Sequence, residues 1–153
     1  MMSKGRDGLI LVGLYTVTFL YMGLIFYLSS LTSIDQPGPL GKIPEVDKIE
    51  HASEFFVLGA LLSLAFQRTP TLTVRKNAWS LALLVAILYA FTDEMHQNFV
   101  SGRTTDALDL LADTAGICVA SLLGAWLREA RASGRTTDRP PVTLTKAMPD
   151  SEE

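Results

Sequence analysis

The chain has 153 residues, enough for one domain, and a formal net charge of −3. Hydrophobic residues make up 48 % of it, charged residues only 19 %, and the mean hydropathy is +0.28; a soluble domain carries about 25 % charged residues. The balance argues against a soluble domain, no nucleic-acid partner is expected, and the single Cys118 excludes an internal disulfide.

Residues 8–34 run for 27 positions without a charge, well beyond the roughly 18 that mark a bilayer span. Lys4 and Arg6 ahead of them would suit a secretory leader, but the apolar core at 9–28 outlasts the about 7–15 residues of a leader's hydrophobic region. The segment is therefore expected to stay as a first span. A second span covers 47–66, although only 13 residues there (55–67) are free of charge. A third covers 78–93, with 16 uncharged residues at 77–92, and a fourth covers 107–127, interrupted by Asp109 and Asp113. The predicted fold is an all-α integral membrane bundle of four transmembrane helices in residues 1–127. Cys118 falls mid-helix in the fourth, as a small packing residue. Residues 128–153 read as a short amphipathic continuation followed by a polar, disordered tail with Pro140–Pro141 and an acidic end.

Lys and Arg divide unevenly between alternate loops. Lys4, Arg6, Arg68, Arg75, Lys76 and five bases of the tail fall on one side, ten in all, and Lys42, Lys48 and Arg103 on the other. The basic side is expected to be cytoplasmic, with both termini inside, and Trp79 and Trp126 fall at the inner helix ends. Acids divide the opposite way, leaving the outer face at −7 and the inner face at +4.

Helix length draws these acids into the membrane. Sixteen residues rise about 24 Å, against roughly 30 Å of hydrocarbon, so spans two to four cross fully only if their acidic turns enter the bilayer. An ionised group there needs a partner or water. Asp47, His51, Glu54 and Leu58 share one helix face; Tyr89, Asp93 and Gln97 share another; Asp106, Asp109, Asp113, Gly116 and Ala120 share a third. The spacing predicts a common outer network of Lys48, His51 and Arg103 against Glu54, Asp93, Glu94, Asp109 and Asp113. Arg103, with its planar fork, is expected to fold back over the acids as their organiser. His96 is expected to point away from this network as an exposed residue. No metal-ligand spacing occurs, and neither metal nor other cofactor is expected. Gly116, Ala120 and Gly124 form a small-residue ridge suited to close helix contact and to an oligomer interface.

Three segments in this order resemble the VanZ-like family of bacterial membrane proteins. They are Asp47-Lys48 with His51, Phe56 and Leu58-Gly59; Asp93-Glu94 with Gln97; and Gly102-Arg103 with Asp109, Asp113 and Gly116. The match spans about residues 47–124. The family commonly carries Asn where this chain has Asp113, which adds a negative charge to the site. The resemblance implies a multi-pass protein of the bacterial cytoplasmic membrane with a role in envelope or glycopeptide response, since the family is named for a protein that lowers susceptibility to teicoplanin. It supplies no reaction, and no site residue is assigned a catalytic role.

Three functions fit these residues. One is a non-catalytic outer pocket that binds a lipid-linked cell-wall precursor or lipoglycopeptide. Another is a membrane hydrolase of lipid headgroups using His51 with Glu54, Asp93 or Glu94. The third is a structural or assembly subunit whose network only joins helices. The orientation has a direct test: reporter fusions after Thr32 and Ser101 should read outside, and fusions at Arg75 and Glu153 inside. An outside signal at the C-terminus would overturn it.

Overall fold

The computed structural model describes residues 4–31, 46–101, 103 and 106–136. Gly102, the loop acids Asp35 and Glu45, Lys42 and the tail beyond residue 136 lie outside the described residues. Helices α1 (Lys4–Ser29), α2 (Val46–Arg68), α3 (Leu72–Lys76), α4 (Ala78–Gln97) and α5 (Ala107–Thr136) account for the secondary structure among the described residues, with no strand. Four of them, all but α3, are long and apolar enough to cross a membrane. The short α3 was not foreseen: Pro70 precedes it, and the Asn77 side chain closes it by donating to the Thr73 carbonyl at 2.9 Å. Beyond residue 127, α5 continues without a break to Thr136.

The helices run up and down. Ser29 at the end of α1 meets Asp93 near the end of α4, and the starts of α2 and α5 meet through Lys48 and Asp109. At the other end, Tyr15 of α1 and Thr69 after α2 share a hydrogen bond of 2.8 Å. One end of the bundle thus collects the C-termini of α1 and α4 with the N-termini of α2 and α5. The opposite end holds α3 and the remaining termini.

Helix α2 is the hub. Its Phe55, Leu58, Leu62 and Ala65, at helical spacing, are buried, and it packs against α1, α4 and, most extensively, α5. Small side chains set the approach of its neighbours. On α4, Ala78, Ala82, Ala86 and Ala90 recur every fourth residue and are all fully buried, so the α4 backbone comes close to its partners. On α5, a Cβ at Gly116 would collide with the backbone carbonyl of Ala52, and one at Gly124 with the Trp79 ring. Gly59 lies against Ala120 and Ile117. The Gly116/Ala120/Gly124 ridge is therefore occupied by α2 and α4 of the same chain, and the face it would have offered to a second copy is covered.

Helix α1 differs from the rest. Its apolar side chains, including Leu9, Val12, Phe19 and Leu20, are largely exposed, as suits a lipid-facing helix. Apart from buried Ile25 and Thr18, it is latched by polar groups. The Tyr89 hydroxyl donates to the Met22 carbonyl at 2.6 Å, and the Tyr21 hydroxyl donates to the Glu54 carbonyl at 3.2 Å.

The packing has a measurable consequence. Gly116→Val places a branched side chain against the Ala52 backbone and should destabilise the detergent-solubilised protein by about 1–3 kcal/mol, while Gly59→Ala, facing ordinary van der Waals neighbours, should cost less. Comparing the two melting temperatures checks the close α2–α5 approach.

Candidate functional site

The polar end gathers residues from all four long helices. Lys48, one turn into α2, points its ammonium at three carboxylates: Asp109 at 2.6 Å, Asp47 at 2.8 Å and Asp106 at 2.9 Å. The partners grade outward, from buried Asp109 to exposed Asp47. One residue thus ties α2 to the first turn of α5. His51, one turn further along, sets Nδ1 3.1 Å from Asp113 Oδ1 and Nε2 4.0 Å from Asp109 Oδ2. Asp109 and Asp113, four apart on α5, face Lys48 and His51, three apart on α2, because the two helices start at the same end and run parallel from it.

Asp106 begins α5 as its N-cap. Its Oδ1 accepts the Leu108 amide at 2.9 Å, its backbone carbonyl accepts the Asp109 amide, and its own amide donates to Glu94 Oε1 of α4 at 2.6 Å. Glu94 thereby extends the capping of α5 from a different helix, where a carboxylate also meets the positive end of the helix dipole. The Lys48 ammonium holds the Asp106 carboxyl below the usual aspartate range, with help from the Leu108 amide. The sign follows: this pairing stabilises the fold above the ordinary value of 3.8 and is lost as pH falls through the lowered one.

Asp93 sits deeper. Its Oδ2 accepts from Ser29 of α1 at 2.7 Å and from Gln97 one turn on at 3.1 Å. Ser29 was missed in the sequence because it lies inside an uncharged run that reads only as lipid-facing. Glu54 lies within Coulombic reach of His51, Asp93 and Asp113, and Glu94 within reach of His51, Asp109 and Asp113. The structure therefore brings Asp47, Lys48, His51, Glu54, Asp93, Glu94, Gln97, Asp109 and Asp113 to one place.

Arg103 behaves differently from the expectation. Its guanidinium donates to the backbone carbonyls of Leu31 at 3.2 Å and Leu28 at 3.5 Å, and it pairs with no carboxylate among the described residues. Leu31 lies two residues past the end of α1 and the Leu28 carbonyl also accepts the Leu31 amide at 3.1 Å, so the long side chain covers the turn that follows that helix in place of the acids. Lys48 holds the organising position predicted for Arg103. His96 is half-buried where exposure was expected: its ring packs against Phe26 at a tilt of 31°, with centroids 4.2 Å apart, and its Nδ1 is buried.

The donors and acceptors do not balance. Lys48, His51 and Arg103 are all engaged within the chain, yet Asp93 Oδ1 and Glu94 Oε2 are buried with no hydrogen-bond partner among the described residues. Both side chains belong to deeply buried residues, 4 % and 8 % exposed, and the half-buried Glu54 carboxylate lies within Coulombic reach of Asp93. What remains open at this end is a set of acceptors.

Lys48 and Arg103 now make distinct predictions. Lys48→Gln removes the one cation shared by three acids and should lower stability by about 2–4 kcal/mol, discounted from a fully buried pair because the site reaches solvent. Arg103→Lys retains a donor for the Leu28 and Leu31 carbonyls and should cost about 1 kcal/mol or less. Thermal melts of the two variants side by side decide the order; a more damaged Arg103→Lys would restore Arg103 as the organiser.

Comparison with known proteins supplies the family. The VanZ/LLP1 family model matches residues 11–128, which covers α1 through the membrane part of α5 and every polar-end residue described above. No curated protein and no solved structure gives a match. With most of its length matched and four helices able to span a membrane, the chain is a multi-pass membrane protein that belongs to the VanZ/LLP1 family.

Proposed function

We propose that this is a non-catalytic protein of the bacterial cytoplasmic membrane whose outer polar site binds an envelope ligand, a lipid-linked cell-wall precursor or a lipoglycopeptide, through amine or hydroxyl donors on that ligand. The observation that carries the reading is the pair of buried, unpartnered oxygens, Asp93 Oδ1 and Glu94 Oε2. A buried acceptor without a donor costs about 1–3 kcal/mol, and a ligand bringing an ammonium or hydroxyl would recover it. The chemistry differs from a site built to grip anions. Lys48 and His51 already face acids of this chain, so an incoming phosphate would compete with Asp109 and Asp113 and meet their repulsion. A ligand tethered in the bilayer suits an opening at the membrane surface, because the tether restricts its search to two dimensions.

A second reading rests on the Lys48 contacts alone. Two ion pairs from Lys48 to Asp106 and Asp109 join α2 to the start of α5 and need no ligand to hold the helices, as a purely structural subunit would require.

One experiment separates the two. Full-length protein in detergent is melted with teicoplanin, with the undecaprenyl-linked muropeptide precursor, and with amine-acetylated forms of both. Saturation should raise the melting temperature by about 5 °C, acetylation should remove the effect, and Asp93→Asn with Glu94→Gln should abolish it while the variant itself still melts cooperatively. No shift with any compound, together with a large loss of basal stability in that double variant, would leave the structural reading in its place.

A further inference from the structure

The opposite end of the bundle carries the reverse chemistry. An open cleft of about 430 Å³ is lined by Gln67 near the end of α2, Arg75 and Lys76 in the last turn of α3, and Arg128 of α5. Three cations from two separate elements converge there and no carboxylate is among the lining residues. None of the three forms an ion pair among the described residues. At the polar end the described bases, Lys48, His51 and Arg103, are engaged by the chain itself; here the protein supplies the positive charge and leaves the counter-charge out. Like charges held on a shared wall repel unless an anion sits between them.

The geometry points to a phosphate group as that anion, carried on the headgroup of an acidic membrane lipid. Two guanidinium forks and an ammonium suit phosphate oxygens, and a basic recess between membrane helices is a known form of lipid headgroup site. Its position argues for a lipid source. The cleft lies where the spanning helices end, and α3, which supplies two of its cations, exposes Leu72. On α5 the residues leading to Arg128, namely Leu123, Trp126 and Leu127, are also exposed. A headgroup in the cleft would leave its acyl chains beside that apolar surface. The unpredicted helix α3 thereby acquires a role: it turns Arg75 and Lys76 back toward Arg128.

The test is native mass spectrometry of the full-length protein released from mixed micelles with equal phosphatidylglycerol and phosphatidylcholine. Bound phosphatidylglycerol should exceed phosphatidylcholine by about fivefold or more, and Arg128→Gln or Arg75→Gln should each reduce that preference by about fivefold. Arg68→Gln removes one charge from the same end without touching the cleft and should leave the preference intact. Melting temperatures equal to that of the unmodified protein establish that each variant is folded, and two independent cleft variants keep the test usable if one is not. Equal retention of the two lipids would overturn the proposal. So would an Arg68→Gln effect as large as that of Arg128→Gln, which would mean diffuse surface charge. Displacement of the lipid by millimolar glycerol phosphate would overturn the lipid source, because a bilayer-anchored headgroup should resist a soluble competitor at that concentration. The result is independent of the polar end, since none of these residues touches it.

Discussion

Hydrocarbon tolerates a charged side chain only when that charge meets a partner, and the arrangement of this protein follows from that constraint. Helices α2, α4 and α5 are too short in uncharged residues to cross a bilayer without taking their acidic turns with them. Those turns must then face one another. The Lys48 ammonium, held by Asp47, Asp106 and Asp109, is where the requirement is met most directly. It fixes the relative height of α2 and α5, and from that height follow the His51–Asp113 contact one turn deeper and the seating of Gly116 on Ala52 beyond it. Displacing Lys48 along the axis would bring a Cβ-bearing neighbour to the place where only glycine fits.

Apolar packing acts on a different part of the bundle. Since lipid is as apolar as leucine, helices in a membrane gain little from hiding large aliphatic side chains, and close backbone approach counts for more. The alanine stripe of α4 and the glycines of α5 provide that approach. Helix α1 has few such residues facing its neighbours and is held instead by tyrosine and serine hydroxyls. Tyr15, Tyr21 and Ser29 on α1, with Tyr89 on α4, form hydrogen bonds along its length, and Arg103 covers the turn that follows it. The helix most exposed to lipid is thus tied to the polar end through Asp93, so a ligand that engaged Asp93 would also be felt by α1.

The two ends of the bundle treat charge in opposite ways, and this bears on function. The end rich in acids has Lys48, His51 and Arg103 engaged and two buried acceptors unpartnered, whereas at the other end Arg75, Lys76 and Arg128 form no ion pair among the described residues. An excess of bases at one end suits orientation in a membrane, whereas two buried acceptors without donors at the other end contribute nothing to holding four helices together. The family assignment brings a membrane setting without a reaction, so the unmatched groups are the best guide to what the chain meets at each surface.

The four spans, the all-helical class and the identity of the polar residues were legible in the sequence, because hydrophobic run length and helical periodicity are local properties of the chain. Helical spacing placed Asp109 with Asp113, and Asp47 with His51 and Glu54, on single faces. The family resemblance was legible too, since it rests on motifs and their spacing. Which base would meet which acid was not. Arg103 and Lys48 are equally charged in the sequence, and only the overlap of the α2 and α5 starts decided that Lys48 reaches the carboxylates while Arg103 reaches the end of α1. The small-residue ridge was readable as a contact surface, but its occupant depended on α2 and α4 lying beside it. Ser29, the Glu94 contact to the Asp106 amide and the convergence of Arg75, Lys76 and Arg128 join residues far apart in the chain. Their positions follow from how the helices pack, and no local pattern encodes that.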